Sequence, residues 1–227
     1  MLTLLTATGC RPEAWKICQK LMERQTYQGE VQWIIVDDGE QMQMVDFSRE
    51  GWKLTVVTPR PFWKQGDNTQ ARNLSDGLAL VGQNEKLVII EDDDCYGPEY
   101  LETVDAWLNT HDLVGESHAR YYNLKSKRAR QLSNASHASL CATAMKGKAT
   151  EAFKRELSPG VKFIDLMLWK RFDGPKKLHK TAMVTGIKGL PGRLGIGMGH
   201  KDDFQGQIDQ SGSILRQWTG TNADLYQ

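Results

Sequence analysis

Four consecutive carboxylates, Glu91-Asp92-Asp93-Asp94, follow the apolar run Leu87-Val88-Ile89-Ile90 without a break. Nothing in folding asks for such a run. Like charges packed at one point raise one another's pKa and destabilise the chain unless a cation neutralises them, and ligands built only of oxygen suit Mg²⁺ or Mn²⁺. A strand end that holds a hard divalent ion is a natural place to hold a diphosphate. Taken alone, the run reads equally well as a solvated acidic turn closed by Gly97-Pro98. A second acidic pair, Asp37-Asp38, closes the apolar run 31–36 immediately before Gly39.

Both clusters need elements that aim them at one place. The start of the chain, residues 2–8, reads as a strand leading into a small-residue turn, and Pro12 then opens a helix to about Arg24 with Trp15, Ile17, Cys18, Leu21 and Met22 on its apolar side. Strand, turn, helix and strand make the βαβ opening of a layered α/β domain. Ligands of such sheets gather beyond the carboxyl ends of the strands. Residues 53–58 continue as a strand, a Pro- and Gly-broken loop covers 59–67, and a helix over about 69–81 delivers the chain to the acidic strand. Further on, strands are expected at 112–115, 119–123, 139–145 and 180–186, helices at 99–108, 148–157 and from 165 to 172, and a hairpin or loop at 124–132. The glycine-rich run from Lys188 to His200 reads as an ordered loop or lid.

With 227 residues and 40% hydrophobic content the chain can bury a substantial core as a single domain. No run approaches the ~18 apolar residues of a membrane span, and the first residues lack a basic leader and a cleavage site, so a soluble, cytoplasmic protein is expected. Cys10, Cys18, Cys95 and Cys141 show no paired spacing and read as buried thiols rather than zinc ligands or a disulfide scaffold. The net charge of +1 conceals segregation: residues 1–119 hold 20 acidic against 10 basic side chains, residues 120–201 hold 18 basic against 4 acidic. A field of that size favours an anionic partner.

The strand 4–8, the turn Val36-Asp37-Asp38-Gly39, Ala71-Arg72-Asn73, and Ile90-Glu91-Asp92-Asp93-Asp94 followed by Tyr96-Gly97-Pro98-Glu99-Tyr100-Leu101 together resemble the nucleotide-sugar glycosyltransferases of the GT-A fold, particularly family 2. The resemblance covers about residues 1–200. It implies an α/β, GT-A single domain with a donor half at 1–118, an acceptor and catalytic-base half with the lid at 119–201, and a tail at 202–227. It implies a metal-dependent transferase using a nucleoside-diphosphate sugar, a UDP-sugar by preference, with Mn²⁺ or Mg²⁺. Asp94 becomes the expected metal ligand, Asp92 lies nearer the ribose or sugar, and Asp93 is a substitute because the register is ambiguous. Asp37 or, by preference, Asp38 would accept a hydrogen bond from the nucleobase, with Thr6, Thr8 and Arg11 beside base and phosphates. Arg72 would contact the donor or pair with the acidic cluster.

Inverting members of that family need a general base for the acceptor hydroxyl, and the segment Phe163-Ile164-Asp165 with Trp169 matches its position, Ile164 replacing the usual Glu. Asp165 is thus the candidate base or, alternatively, a carboxylate favoured by a helix dipole. His200 fits a further metal or diphosphate contact, with His179 its rival, and Arg193, Lys188 and Lys201 add phosphate-directed charge. The acceptor half is the basic one. DNA carrying a hydroxymethylated pyrimidine, glycosylated as some viral enzymes do, suits it through residues such as Lys125, Arg130, Lys154, Arg155 and Lys170, with Tyr121, Tyr122 or Trp169 stacking on the base. That points to a virus-encoded protein acting in the cytoplasm. A glycan or lipid-linked acceptor at an anionic membrane, or a nucleotidyltransferase, remains the alternative.

Overall fold

The structure, a computed structural model, describes residues 1–158, 161, 163–195, 197, 199–200 and 204–226. Its opening follows from local pattern. Strand β1 (Leu2–Thr8) is buried on both faces, as a strand covered by layers on both sides must be. Gly9 and Cys10 take positive φ to turn the chain, and Pro12 occupies the first turn of α1 (Pro12–Glu23). Helix α1 buries Trp15, Cys18, Leu21 and Met22. Strand β2 (Val31–Asp37) returns parallel to β1, Thr8 opposite Asp37, so both strands end at the same edge. Strand β3 (Trp52–Val57) is again parallel, yet the connection 38–51 is irregular rather than helical. Helix α2 (Gln70–Leu78) then leads to β4 (Lys86–Ile89), which pairs parallel with the other side of β1. The acidic run therefore leaves the sheet at the same edge as Thr8 and Asp37.

The remaining elements are β5 (Cys95–Tyr96), α3 (Tyr100–Trp107), β6 (Leu113–Glu116), β7 (His118–Asn123), β8 (Arg128–Ser133), β9 (Thr143–Met145), α4 (Lys148–Glu156), α5 (Ile164–Arg171), β10 (Lys176–His179), β11 (Val184–Lys188), β12 (Gln207–Ile208) and α6 (Ser213–Thr219). Seven strands form one sheet in the order β10-β6-β9-β4-β1-β2-β3, and five form a second, β12-β8-β7-β11-β5. In the large sheet only β9 runs against the rest. Alternation along the strands splits the core in two. Leu4, Trp33 and Val88 face α1, α3 and the second sheet, while Leu5, Ile34 and Leu87 face α2, α4 and α5.

Several expectations need amendment. Residues 139–145 are not one strand: a 3-10 turn over Leu140–Ala142 precedes the short β9, because Leu140 and Cys141 fill space between β4 and β11. The expected strand 180–186 lies later, as β11 over Val184–Lys188, and β10 over Lys176–His179 is a strand that was not expected, one in each sheet. The tail is integrated. Strand β12 extends the second sheet, Leu215 of α6 joins the core, and Asn222 donates to the Tyr96 carbonyl at 3.2 Å. Strands from either side of residue 118 share both sheets, so the segments expected as donor and acceptor halves are interleaved in one domain. Cys18, Cys95 and Cys141 are buried and Cys10 is half-buried.

Candidate active site

Where β1, β2 and β4 end together, their side chains meet. Thr8 Oγ1 donates to Asp92 at 2.6 Å, and Arg11, just before α1, donates from one guanidinium nitrogen to Asp92 at 2.5 Å and from the other to Asp93 at 2.6 Å. From the second sheet, Lys188 at the end of β11 brings Nζ to 3.0 Å from Asp94 and 3.7 Å from Asp93. His200 Nε2 lies 3.5 Å from Asp93 Oδ2. Arg11, Asp92, Asp93, Lys188 and His200, distant in sequence, thus form one nearly dry charged cluster.

Burial dominates its electrostatics. It raises the Asp92 carboxyl to about 6 against the pull of Arg11, and raises Asp94 and Glu91 as well. Burial would raise Asp93 too, but Lys188 and Arg11 outweigh it and hold that carboxyl well below the usual range. Burial, helped by Lys188, lowers His200 to about 3. The imidazole is therefore neutral near pH 7, and its contact with Asp93 is not an ion pair.

Asp94, the expected metal ligand, faces inward. Antiparallel pairing of β5 with β11 draws the chain into the second sheet, where Asp94 Oδ1 accepts the Ile187 N–H at 3.0 Å. Its Oδ2 is buried without a hydrogen-bond partner, and Asp94, Glu91 and Cys141 bring ligand atoms within 4.8 Å of one another behind the cluster. Asp93 is the carboxylate that meets His200. Thr6 also departs from expectation. It lies on the same strand face as Thr8 but one pleat deeper, fully buried, its hydroxyl accepting Trp33 Nε1 at 3.0 Å.

The Asp37-Asp38 corner is fully engaged. Asp37 accepts the N–H groups of Gly39 at 2.9 Å and Gln43 at 2.7 Å. Asp38 accepts Arg193 at 2.8 Å, Arg72 at 3.1 Å and the Thr69 hydroxyl. Arg72 thus pairs with Asp38 and the Pro61 carbonyl, not with the run 91–94. Arg193 also donates to Thr69 at 2.7 Å and lies over the Trp63 ring, closing the glycine-rich loop onto the corner. Gln43 is a residue that pattern reading missed. From the irregular connection 38–51 it donates to Thr8 Oγ1 and accepts the Arg11 N–H, tying both groups of the cluster in place.

In the segment expected to form the acceptor side, Asp165 lies half-buried in the first turn of α5, Oδ1 accepting the Leu166 N–H at 2.9 Å. Burial raises its pKa, with the Leu166 N–H and His137 opposing. The turn 140–142 links the two sides, Leu140 beside Asp165 and Cys141 beside Asp94. Tyr122 and Trp169 are buried and not free to stack on a base, Tyr121 is half-buried with its hydroxyl engaged by Ser139 at 2.7 Å, and Phe163 is 72% exposed. His179 is stacked on Trp107 at 3.7 Å, which leaves His200 as the histidine of the cluster. Lys201 lies outside the described residues.

No family model and no curated protein sequence matches the chain. Solved structures do. S. aureus TarS superposes with a TM-score of 0.56 at 10% identity over 82% of this chain and 37% of its own. TarS 1-349 in complex with UDP gives 0.55 at 10% identity over 82% and 60%, and its complex with UDP-GlcNAc gives 0.52 at 10% over 82% and 58%. The chain therefore spans less than two thirds of each of these proteins. The likeness establishes a GT-A-like fold.

Proposed function

Starting from a GT-A-like fold with a charged cluster at its strand ends, we propose that the chain is a glycosyltransferase that moves a sugar from a nucleoside-diphosphate sugar, a UDP-sugar by preference, to a hydroxyl on an anionic acceptor. The observation that carries this reading is the convergence of Thr8, Arg11, Asp92, Asp93, Lys188 and His200 beyond the carboxyl edge of β1 and β4, where α/β sheets bind ligands. The UDP and UDP-GlcNAc complexes of the similar structures support the choice of donor.

The donor set fits a divalent ion. Asp93 and the neutral His200 offer oxygen and nitrogen ligands side by side, a pairing that suits Mn²⁺ well and Mg²⁺ less well. Bound there, such an ion would supply charge stabilisation for a departing diphosphate. The chain's own residues do the rest. Arg11 fixes Asp92 and Asp93 and presents positive charge towards the diphosphate, while Thr8 and Gln43 hold Asp92 and Arg11 in register. The Asp38, Arg72 and Arg193 corner forms the wall against which the nucleobase would sit. Asp165 takes the proton from the acceptor hydroxyl as it attacks the sugar from the side opposite the diphosphate, which inverts the anomeric carbon. Its half-buried position raises its basicity for that task.

The acceptor reading rests on one edge of the molecule. Helices α4 and α5 pack together beside the edge strand β10, and Lys148, Lys154, Arg155, Lys170, Lys177 and Lys180 are exposed there with no ion pair among the described residues. A row of unpaired cations suits phosphates along DNA, and Phe163 beside Asp165 offers a ring for an exposed hydroxymethylpyrimidine. Incubation with UDP-sugars and hydroxymethyl-containing DNA should release UDP and add a hexose mass to the digested nucleosides. UDP release with neutral glycans alone would discard the DNA acceptor, and no release from any sugar nucleotide would discard the transferase.

A further inference from the structure

Lys188 is only 4% exposed, yet it carries an ammonium group into the heart of the acidic cluster. Burying a charge is costly unless it is paired, and here the pairing explains it: Nζ lies between Asp94 Oδ1 and Asp93 Oδ2. Arg11 covers the other side, one nitrogen on each of Asp92 and Asp93. Asp93 Oδ2 is consequently approached by three nitrogens, those of Arg11 at 2.6 Å, His200 at 3.5 Å and Lys188 at 3.7 Å. A divalent ion seated on Asp93 would arrive beside an ammonium that the fold holds there permanently, at the end of a β11 paired on both sides.

We propose that Lys188 is the resident counter-cation of the acidic cluster, and that a divalent ion must share Asp93 with it, so that Lys188 sets how tightly the cluster holds the ion. The inference rests on reading the cluster as the donor-diphosphate site. It accounts for how three adjacent aspartates stay folded before any ion or donor arrives. It also gives the ion a reason to bind weakly until a diphosphate adds negative charge.

The test is Mn²⁺ binding without donor, followed by the electron-spin signal of free Mn²⁺, on the full chain and on Lys188→Met and Lys188→Arg, with circular dichroism to report the fold. Lys188→Met should bind Mn²⁺ at least tenfold more tightly than the parent and Lys188→Arg within about threefold of it. A natively folded Lys188→Met that binds no more tightly overturns the proposal, as does failure of both it and the parent to bind. Because the methionine variant leaves buried carboxylates uncompensated and can fail to fold, a second measurement uses the parent protein. Its ¹⁵N-labelled Lys188 ammonium resonance, assigned by its loss in Lys188→Arg, should shift on saturation with Mg²⁺; an unmoved resonance overturns the sharing. UDP binding by calorimetry on the same samples tests the donor site separately, since UDP binds there whether or not Lys188 governs the ion.

Discussion

On the proposed reading, the side chains of the site divide into those that would touch the chemistry and those that hold others in place. Asp165 stands apart from the cations, its carboxylate accepting the Leu166 N–H and raised in pKa by burial, which suits the base role proposed for it. Asp165→Asn should therefore lower transfer by about 10²–10⁴-fold while leaving UDP affinity within about twofold, measured by product formation and calorimetry. Unimpaired turnover would move the base elsewhere. His200 yields a prediction in pH. Its folded pKa of about 3 lies below the ordinary 6.5, so the unfolded chain binds the extra proton first; the stability held above pH 6.5 is lost progressively as pH falls from 6.5 towards 3. Buried carboxylates with raised pKa, Asp92 among them, work in the opposite sense below about pH 6, so the comparison must be between variants. Urea unfolding at pH 7.5 and pH 5 should show the parent losing more stability than His200→Gln.

At the scale of elements, the turn between β1 and α1 decides whether the site exists. Gly9 has φ of +142°, and a Cβ there would overlap the Asp38 carboxylate and come within 2.9 Å of the Gly39 nitrogen. Gly9→Ala should cost about 1–3 kcal/mol of stability, read from the urea midpoint, and weaken UDP binding by pushing the two turns apart. A variant of parental stability and affinity would show that the turns approach less closely than the structure has them. The elements themselves were mostly legible. Apolar strands ending in acidic or small-residue turns, Pro12 at a helix start and the period of α1 are all local signals. The turn 140–142 and the inward rotation of Asp94 were not, since both answer to strands far away in sequence, β4 and β11 in one case and the β5 to β11 pairing in the other.

For the molecule as a whole, part of the segregated charge becomes a geometric feature: a basic edge along α4, α5 and β10. DNA affinity should fall about 10³–10⁵-fold between 50 and 200 mM salt if six to ten phosphates are met. A Lys154→Glu, Arg155→Glu, Lys170→Glu variant should lose at least tenfold in DNA affinity with UDP binding unchanged, by fluorescence anisotropy and calorimetry; equal DNA binding would place the partner on another face. That a basic half exists is plain from composition, as is the α/β layering from periodicity, and the sequence alone also marked Thr8, Arg11, Asp92, Asp93, Asp165 and His200. The layering depends on residues near one another along the chain, and the site residues on the family resemblance that the acidic motifs carry. Which carboxylate meets His200, that Thr6 is covered by Trp33, that Gln43 ties Thr8 to Arg11, and that Lys188 lies between Asp93 and Asp94 were decided only when two sheets met, because 94 residues separate Lys188 from Asp94 and no local pattern records a partner so far away.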